Sequence, residues 1–496
     1  NTMEPEGIVQ AIPNSESWEW IKENVPLFEC PQQNFEETYW YRWWTLRKHL
    51  CKTDDGKYAM TEFLVHRNYA DKYNLIASGV GHHIHESRWL RNPRYLDEAM
   101  ETWFFGNDGQ PMKKLHNYSS WIAGSLWNRY LVDGRQDWIV KMLPSLKDEY
   151  EYWNTTHRWT DNTPLFWQAD VQDAMEETIS GGRRKQYARP SINSYMYGNA
   201  RGIANIAALT GDKITANLYN QRADTIKALV ENYLWNDRHQ FFETLRKDSS
   251  ANVREAIGFL PWYFNLPDNS NPRYQAAWAQ TADPEGFSAP YGQTTAERRH
   301  PQFRTHGVGK CEWDGAVWPF ATSQTLTALA NYLNDCSGEV SISRLSRPSG
   351  KNSLSGKSCL VNDSLYFAEL LKYVQSQSMR GKPYIGEYLD ETTGYWLKGD
   401  QERSKYYNHS TFCDLIISGL VGLRPRQDNI VEVNPLLPDD KWDWFCLDRI
   451  LYHGRNIAIV WDKDGSRYHT GKGLRIYVDG ELKAQRNDLG KLTCEL

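Results

Sequence analysis

The feature that most constrains the fold of this 496-residue chain is a succession of helix-forming segments between residues 36 and 425. Apolar residues recur there at spacings of three and four, which is the period of a helix with one buried face. The clearest segments are residues 193–209, 215–234, 321–333, 365–377 and 411–423. Roughly ten to twelve such helices, without a repeat of about 34 or 40 residues, argue against a solenoid. The pattern predicts a mainly α fold, a closed helical toroid over residues 36–425, with residues 1–35 packing on it.

After residue 425 the pattern changes to short alternating runs separated by Asp-Gly turns. Alternation with a period of two is typical of strands with one buried face. The runs are residues 430–433, 449–452, 456–461, 474–478 and 481–484. We therefore expect residues 426–496 to form a small C-terminal antiparallel β domain, similar to a sandwich. Residues 337–357 are poor in apolar side chains, which predicts a flexible surface insertion.

Charge and aromatic content narrow the class of partner. The 57 Lys and Arg against 62 Asp and Glu give a net charge of -5, so no broad basic field for nucleic acid or anionic lipid is expected. No run of 18 apolar residues could span a bilayer. The 22 Trp and 29 Tyr are more than core packing usually needs, and such rings stack on the apolar faces of sugars. A Trp-rich helical core is the other interpretation.

Long loops rich in aromatic residues and carboxylates separate the helices, and loops of this length are usually functional. The first, residues 165–190, contains Trp167 and Gln168 and then four carboxylates within eight residues, followed by a Gly-Gly break. The four are Asp170, Asp173, Glu176 and Glu177. If this loop faces a pocket, repulsion and dehydration raise the pKa of at least one of them. A solvated acidic loop is the alternative.

Two further stretches carry candidate residues. In residues 383–396, Glu387 lies among tyrosines after a glycine, so it is the carboxylate there best placed to be partly dehydrated, unless it is a surface-turn glutamate. In residues 311–320, Trp313 and Trp318 flank Asp314 and Gly315 ahead of a helix. This tryptophan pair could wall a sugar site or form a packing corner.

Other candidate sugar-binding residues lie at the starts of helices or beside the acidic loop. They are Arg42, Trp43, His83, Trp121, Asn193 and His409. Arg42 and Trp43 could hold and stack a terminal sugar or could simply pack. The run with His82, His83 and His85 has no further ligand at a zinc-like spacing, so we expect no metal and no cofactor.

The three stretches, in this order, resemble the six-hairpin toroid glycosidases, and most closely the mannosylglycerate-hydrolase-like domain related to glycoside hydrolase family 63. Residues 313–318 are similar to the W-R-G-P-x-W stretch of that group, residues 168–176 to its acid loop, and residues 387–394 to its E-Y-Y-x-P-x-T-G base loop. The resemblance spans about residues 36–425. Two departures stand out: Asp314 replaces the family arginine, and Ala-Met-Glu follows Asp173 in place of Asn-Ser.

The resemblance implies an inverting, exo-acting O-glycosidase that removes a terminal sugar. Metal-free hydrolysis of a glycosidic bond needs one protonated acid and one ionised base. We assign Asp173 as the acid and Glu387 as the base, and the acid could instead be Asp170 or Glu176. A polysaccharide lyase on a similar toroid and a non-catalytic carbohydrate-binding protein are the alternatives.

The expected location is extracellular or periplasmic. The N-terminus lacks a basic region followed by an apolar one, so a leader was either cleaved or never present. A disulfide between Cys336 and Cys359 would tether the polar insertion between them. Four Asn-x-Ser/Thr sequons, at Asn117, Asn154, Asn362 and Asn408, fit a secreted glycoprotein, although such sequons also arise by chance.

Overall fold

A computed structural model describes residues 6–160, 163–336 and 359–496. The predicted insertion at residues 337–357 lies outside these ranges. Cys359 is disulfide-bonded, and the side chain of its expected partner, Cys336, is outside the described part. No helix within the described ranges is both long and apolar enough to cross a bilayer.

The first 425 residues are mainly helical, as the sequence predicts. The α-helices are α1 Ser17–Asn24, α2 Gln33–Lys48, α3 Val80–Ser87, α4 Arg94–Phe105, α5 Ile122–Asp133, α6 Gln136–Thr156, α7 Pro190–Leu209, α8 Lys213–Tyr233, α9 Leu260–Tyr263, α10 Pro272–Gln275, α11 Pro319–Cys336 and α12 Asp363–Ser376. Short 3-10 helices occupy Asn14–Glu16, Lys72–Asn74, Ala77–Gly79, Leu115–Asn117, Asp170–Gln172, Ala256–Phe259, Ala276–Thr281 and Glu402–Ser404. The five helices singled out from apolar spacing are all present, within a few residues of the expected bounds for four of them.

The fifth predicted helix, residues 411–423, differs in form. Its central part is a π-helix, Leu415–Leu420, and it is entirely buried. A Cβ added at Gly419 would meet the Tyr366 hydroxyl at 1.9 Å, so this segment lies against α12 more closely than a side chain there would allow. Apolar spacing cannot distinguish a π-turn from an α-turn, because both bury the same side chains.

The strands are short except near the C-terminus. They are β1 Leu27–Glu29, β2 Leu50–Lys52, β3 Tyr58–Met60, β4 Trp167–Gln168, β5 Tyr187–Ala188, β6 Trp235–Asn236, β7 Phe241–Phe242, β8 Leu245–Arg246, β9 Ser249–Ser250, β10 Ser288–Ala289, β11 Gly292–Gln293, β12 Ser378–Met379, β13 Lys382–Pro383, β14 Ile430–Val433, β15 Trp444–Tyr452, β16 Arg455–Asp462, β17 Gly473–Val478, β18 Glu481–Arg486 and β19 Leu492–Glu495.

The C-terminal strands form an antiparallel sheet, as predicted, but it is not built from the tail alone. Its order is β1-β15-β16-β17-β18, so the N-terminal strand β1 completes one edge. Leu27 pairs with Asp448 and Glu29 with Cys446. A separate pair, β14-β19, joins the first and last strands of the tail. The N-terminal segment therefore holds the C-terminal sheet by backbone pairing, which periodicity along the chain cannot reveal.

Close helix crossings depend on the small residues of α7. A Cβ at Gly202 would meet the Ala123 carbonyl oxygen of α5 at 2.5 Å, and a Cβ at Gly124 would meet the Gly198 carbonyl oxygen at 3.1 Å. Backbone atoms cannot move aside as a flexible side chain can. The α5–α7 contact is consequently fixed by glycine, and it aligns the starts of both helices beside the acidic loop.

Gly202→Ala tests this crossing. We expect the free energy of unfolding to fall by about 1–3 kcal/mol despite the better helix propensity of Ala, because the new methyl group overlaps the backbone of α5. Chemical denaturation measures the change, with Gly7→Ala as the control because nothing lies within 4 Å of a Cβ there. Equal stability of both variants would contradict the close crossing.

Candidate functional site

Three carboxylates influence one another at the N-terminal ends of several helices. Glu62 follows β3, Glu176 lies in the acidic loop before α7, and Glu387 lies in the loop after β13. Burial raises the pKa of both Glu176 and Glu62, and the charge of Glu387 raises both further. The charge of Glu176 also raises the pKa of Glu62. Their mutual influence places all three in one site.

Glu176 has the electrostatics of a proton donor. Burial and the neighbouring carboxylates Glu387 and Asp170 raise its pKa to about 7. Its side chain is only partly buried, so it remains open to a ligand. The backbone presents it through an unusual turn: Ala174 and Glu177 both have left-handed φ angles, near 57° and 64°. Non-glycine residues rarely adopt this conformation, and clusters of them are typical of functional loops.

Glu387 is held by positive charge. The Lys398 Nζ lies 3.1 Å and the Arg403 guanidinium 3.5 Å from its Oε2. The Ser404 hydroxyl donates to the same oxygen at 3.4 Å, and the Cys311 thiol lies 3.5 Å from Oε1. These contacts stabilise the ionised carboxylate. A Cβ at Gly386 would meet Trp396 at 2.7 Å, so the glycine before Glu387 is required for the loop to pack.

Lys398 also contacts a thiol. Its Nζ lies 2.6 Å from the Cys311 Sγ, so one ammonium bridges the sulfur and the carboxylate of Glu387. Burial and the nearby charge of Glu387 raise the pKa of Cys311 to about 12. The sulfur is therefore a neutral thiol beside Glu387.

Glu62 is the third carboxylate and is buried. Its Oε2 accepts a hydrogen bond from the Ser78 hydroxyl at 2.8 Å, and its Oε1 lies 3.9 Å from the His409 ring. Burial is the main reason that its pKa rises to about 7. Burial, with Arg42 and His83 nearby, also keeps His409 neutral by holding its pKa well below the usual value. A protonated Glu62 can donate a hydrogen bond that a carboxylate cannot.

The rim of the site is aromatic and basic. Tyr69 is 37% exposed and Tyr118 is partly buried, and the pKa of each tyrosine is raised by burial and by the charge of Glu62. The Arg67 guanidinium lies over the Tyr69 ring at 5.2 Å. Burial alone would lower the pKa of Arg403. The charge of Glu387 and of neighbours that include Tyr69 raises this pKa by more than burial lowers it, so Arg403 stays charged. This edge can offer ring faces and hydrogen-bond donors to a ligand.

The tryptophan pair stands behind the carboxylates. Trp313 and Trp318 stack at 4.8 Å, and Trp318 stacks on Tyr388 at 4.5 Å. All three are buried, so they form a rigid support instead of an open wall. The backbone N–H of Trp313 donates to the Glu176 carbonyl at 3.1 Å, and Tyr388 follows Glu387 directly. The stack thereby fixes the loops that carry Glu176 and Glu387 relative to each other.

The structure puts Asp173 in a different role from the one predicted. It is fully buried, its Oδ2 lies 2.8 Å from the Arg189 Nε, and it also accepts from the Ser191 hydroxyl. A guanidinium and a hydroxyl donating to one carboxylate favour its ionised form. Asp173 thus anchors the acidic loop to the start of α7, and this geometry is unsuited to a proton donor.

Other residues of the acidic loop are also structural. Asp170 accepts from the Val171 N–H and the Thr178 hydroxyl, and a Cβ at Gly181 would meet its Oδ2 at 2.0 Å. Gln168 donates to the Ser119 hydroxyl, and Asn193 bonds both the N–H and the carbonyl of Phe166. Trp167 stacks on His157 at 4.4 Å. These contacts shape the loop, and Glu176 is the carboxylate of this loop that interacts electrostatically with Glu62 and Glu387.

Several expected sugar-binding residues lie in the core. Arg42 is buried, donates to the Ser410 carbonyl and lies 3.6 Å from Glu86, while Trp43 is fully buried in contact with Tyr39. They pack and do not offer a surface for a terminal sugar. Trp121 is fully buried and stacked on Tyr195. His83 contacts the Asn408 carbonyl at 2.6 Å.

Asp314 and Asn408 also have protein partners. Asp314 lies 2.9 Å from the Arg304 Nε. The Asn408 amide is buried and donates to the Thr61 carbonyl, so this sequon is inaccessible in the folded protein.

One group within the described ranges could hold a metal ion: His306, Asp390 and Glu391. The His306 Nδ1 lies 2.7 Å from Asp390, whose other oxygen accepts the N–H groups of Thr392 and Thr393. Asp390 raises the pKa of His306. This ion pair and the turn account for the cluster without a metal.

The sequence analysis missed six members of this site: Glu62, Tyr69, Tyr118, Cys311, Lys398 and Arg403. Lys398 and Arg403 lie in the same long loop as Glu387, and this proximity in sequence is the only feature that could have indicated that they belong to the site. Glu62 and Tyr118 lie in short, unremarkable segments and reach the site only through the tertiary fold.

Two carboxyl groups in contrasting environments, on separate loops of one domain, are the arrangement that glycoside hydrolases use. The chain belongs to the mannosylglycerate hydrolase MGH1-like glycoside hydrolase family, whose domain model matches residues 72–410. Residues 423–483 match the C-terminal domain of glycosyl hydrolase family 65.

Solved structures share this fold. A protein named sialidase is 60% identical over the whole chain with a TM-score of 0.93, and this chain spans 44% of that protein's length. A GH63 mannosylglycerate hydrolase from Thermus thermophilus shares the fold, with 12% identity and a TM-score of 0.54 over 77% of this chain and 100% of that one. A GH78 rhamnosidase from a Bacillus species matches 94% of this chain and 42% of that one, with 10% identity and a TM-score of 0.58.

Asp173→Asn distinguishes structural support from catalysis. Asp173→Asn removes the buried carboxylate that contacts Arg189, so we expect the free energy of unfolding to fall by about 3–5 kcal/mol. Denaturant titration measures it. Glu177→Gln is the matched control, because Glu177 pairs with Arg183 at the surface of the same loop and its loss should cost less than about 1 kcal/mol. Wild-type stability of Asp173→Asn would contradict the anchoring role.

Glu62→Gln should change how stability depends on pH. The folded-state pKa of Glu62 is about 7 against an ordinary 4.5, so the wild type loses stability as pH rises from 4.5 to 7. The amide does not titrate. We therefore expect the variant to melt at a higher temperature than the wild type at pH 8 and at a similar temperature at pH 4. If the melting temperatures of the variant and the wild type differed by the same amount at pH 4 and pH 8, the pKa of Glu62 would not be raised in the folded protein.

Proposed function

We propose that this chain is an inverting, exo-acting glycosidase, in which Glu176 is the general acid and Glu387 the general base. The observation that carries the proposal is the pairing of a carboxyl whose pKa is about 7 with a carboxylate held by Lys398 and Arg403. Acid–base hydrolysis of a glycosidic bond requires two carboxyl groups in different environments, one that favours the protonated form and one that favours the ionised form.

In this mechanism Glu176 gives its proton to the glycosidic oxygen as the bond to the anomeric carbon breaks. Glu387 takes a proton from a water molecule, which attacks that carbon from the opposite face. The Lys398 ammonium and the Arg403 guanidinium place positive charge beside Glu387. Glu176 supersedes Asp173 as our assigned acid, because Asp173 is committed to Arg189.

The proposed architecture is a closed (α/α)6 toroid with the acid and base loops at one end. Four helices begin near the site: α3, with His82 in its first turn, α5 at Ile122, α7 at Pro190 and α11 at Pro319. The His82 ring contacts Trp121, which directly precedes α5. This arrangement supports inner helices that run in a common direction. A pocket closed by loops suits removal of a terminal sugar. The proposed substrate is the terminal sugar of a neutral or charged oligosaccharide or polysaccharide. The proposed location of the protein is extracellular or periplasmic.

Glu176→Gln and Glu387→Gln should separate the two roles. On a glycoside with a poor leaving group, each should lower kcat/KM by about 10² to 10⁴. With a dinitrophenyl leaving group, which needs no proton, Glu176→Gln should recover most of its activity and Glu387→Gln should not. Steady-state kinetics measure both, with Glu177→Gln as the neighbouring control. Equal losses on both substrates in Glu176→Gln would remove it as the acid.

The pH profile gives a second check. Only protonated Glu176 can donate a proton, so kcat/KM should fall as pH rises above about 7. This fall at high pH should be absent in Glu176→Gln when the dinitrophenyl substrate is used. NMR of the first-formed anomer reports inversion, and retention would contradict the roles assigned to Glu387 and water. A product with new ultraviolet absorbance would instead favour a lyase.

A further inference from the structure

A second cavity lies at the other end of the helical domain. It has a volume of about 320 Å³ and is lined mainly by the C-terminal halves of α3, α5, α7 and α11 and by the π-helix. Asn205 lies 16 residues after Arg189, which anchors the acidic loop, so at 1.5 Å per residue this part of the lining is about 24 Å from that anchor. The cavity does not share a residue with the carboxylate site.

Hydrogen-bonding groups in this cavity are unused. The side chains of Asn128, Asn205 and Thr327 make no hydrogen bond with the described residues. His85 is 4% exposed, and neither of its ring nitrogens has a partner within hydrogen-bond distance, since its Nδ1 lies 3.8 Å from Asp414. Asn128, Asn205 and Thr327 are partly exposed within the cavity, so their side chains are available to a ligand. Buried polar groups are normally satisfied, so the two buried nitrogens of His85 beside them point to a polar occupant.

The arginines of the cavity are held by protein groups. Arg88 lies 2.7 Å from Asp414, and Arg201 pairs with Asp224. Arg424 donates to Asn331 and to the Ser418 carbonyl. With these arginine donors committed, the hydrogen-bonding groups left open are amides, a hydroxyl and an imidazole, which suit the hydroxyl groups of a neutral ligand.

One wall is aromatic. Trp127 lines the cavity, is partly exposed and lies against Tyr130 with ring centroids 5.1 Å apart. An indole face beside free amides matches a sugar ring, which has an apolar face and a hydroxylated edge. The volume is at the lower end for ligand pockets and fits a small sugar.

We propose that this cavity is a second, non-catalytic binding site for a neutral mono- or disaccharide. Trp127 stacks on the ring, and Asn128, Asn205, Thr327 and His85 bond its hydroxyls. Arg424 and Pro425, which lead into the C-terminal domain, form part of the lining, so an occupied site also contacts the junction between the domains. The proposal does not depend on the assignment of Glu176 and Glu387.

Hydrogen–deuterium exchange locates this binding. The full chain is incubated with methyl α-D-glucopyranoside, methyl α-D-mannopyranoside or sucrose in the millimolar range expected for a small sugar. We expect slower exchange in the C-terminal halves of α5 and α7 with at least one sugar. Asn128→Leu with Asn205→Leu should abolish this protection, weakening binding at least about tenfold, and should leave kcat within about twofold.

The control is Glu176→Gln, which should lose turnover and keep the protection at α5 and α7. If the double variant fails to fold, Trp127→Ala replaces it and should also remove the protection. Protection confined to the loops around Glu176 and Glu387, protection unchanged by the variants, or protection by inorganic phosphate instead of the sugars would each overturn the proposal.

Discussion

Dehydration of three neighbouring carboxylates is the constraint on which this site depends, and repulsion among them adds to it. If Glu62, Glu176 and Glu387 were all ionised, the fold would have to keep three negative charges close together with little water. The structure resolves this by placing Lys398 and Arg403 beside Glu387 and leaving Glu176 and Glu62 with raised pKa values. The positive charge is concentrated at Glu387, and this unequal distribution gives the three carboxyl groups different tendencies to bind a proton.

The supporting structure keeps this arrangement rigid. The Trp313, Trp318 and Tyr388 stack connects the loop of Glu176 to the loop of Glu387, and the buried Asp173–Arg189 pair ties the acidic loop to α7. The α7 helix in turn lies against α5 through Gly202. The cost of crowding carboxylates is thus offset by packing elsewhere, a common feature of active sites.

Much of the fold could be predicted from the sequence, because apolar spacing reports which face of a segment is buried. The helices near residues 193–209 and 215–234 and the tail strands are where periodicity puts them. The pairing of β1 with β15 and the π-helix could not be predicted, since both depend on contacts between distant segments. The family was evident from residues 168–176, 313–318 and 387–394.

The site was predicted less completely. The acidic loop was identified, but which of its carboxylates faces Glu387 depends on partners such as Arg189 that local sequence does not reveal. Glu62 had no motif at all. Trp43 and Trp121 show the opposite problem: aromatic residues suited to sugars are equally suited to a core, and only burial distinguishes the two.

The most direct test of the account is the protonation state of Glu176 itself. In protein carrying glutamate labelled with ¹³C at the side-chain carboxyl, the signal that disappears in Glu176→Gln can be followed as pH is changed, with Glu62→Gln separating the second raised group. The account predicts a midpoint near pH 7 for Glu176. A midpoint near the ordinary value of 4.5 would contradict it, because the carboxyl group would then have no proton to donate at neutral pH.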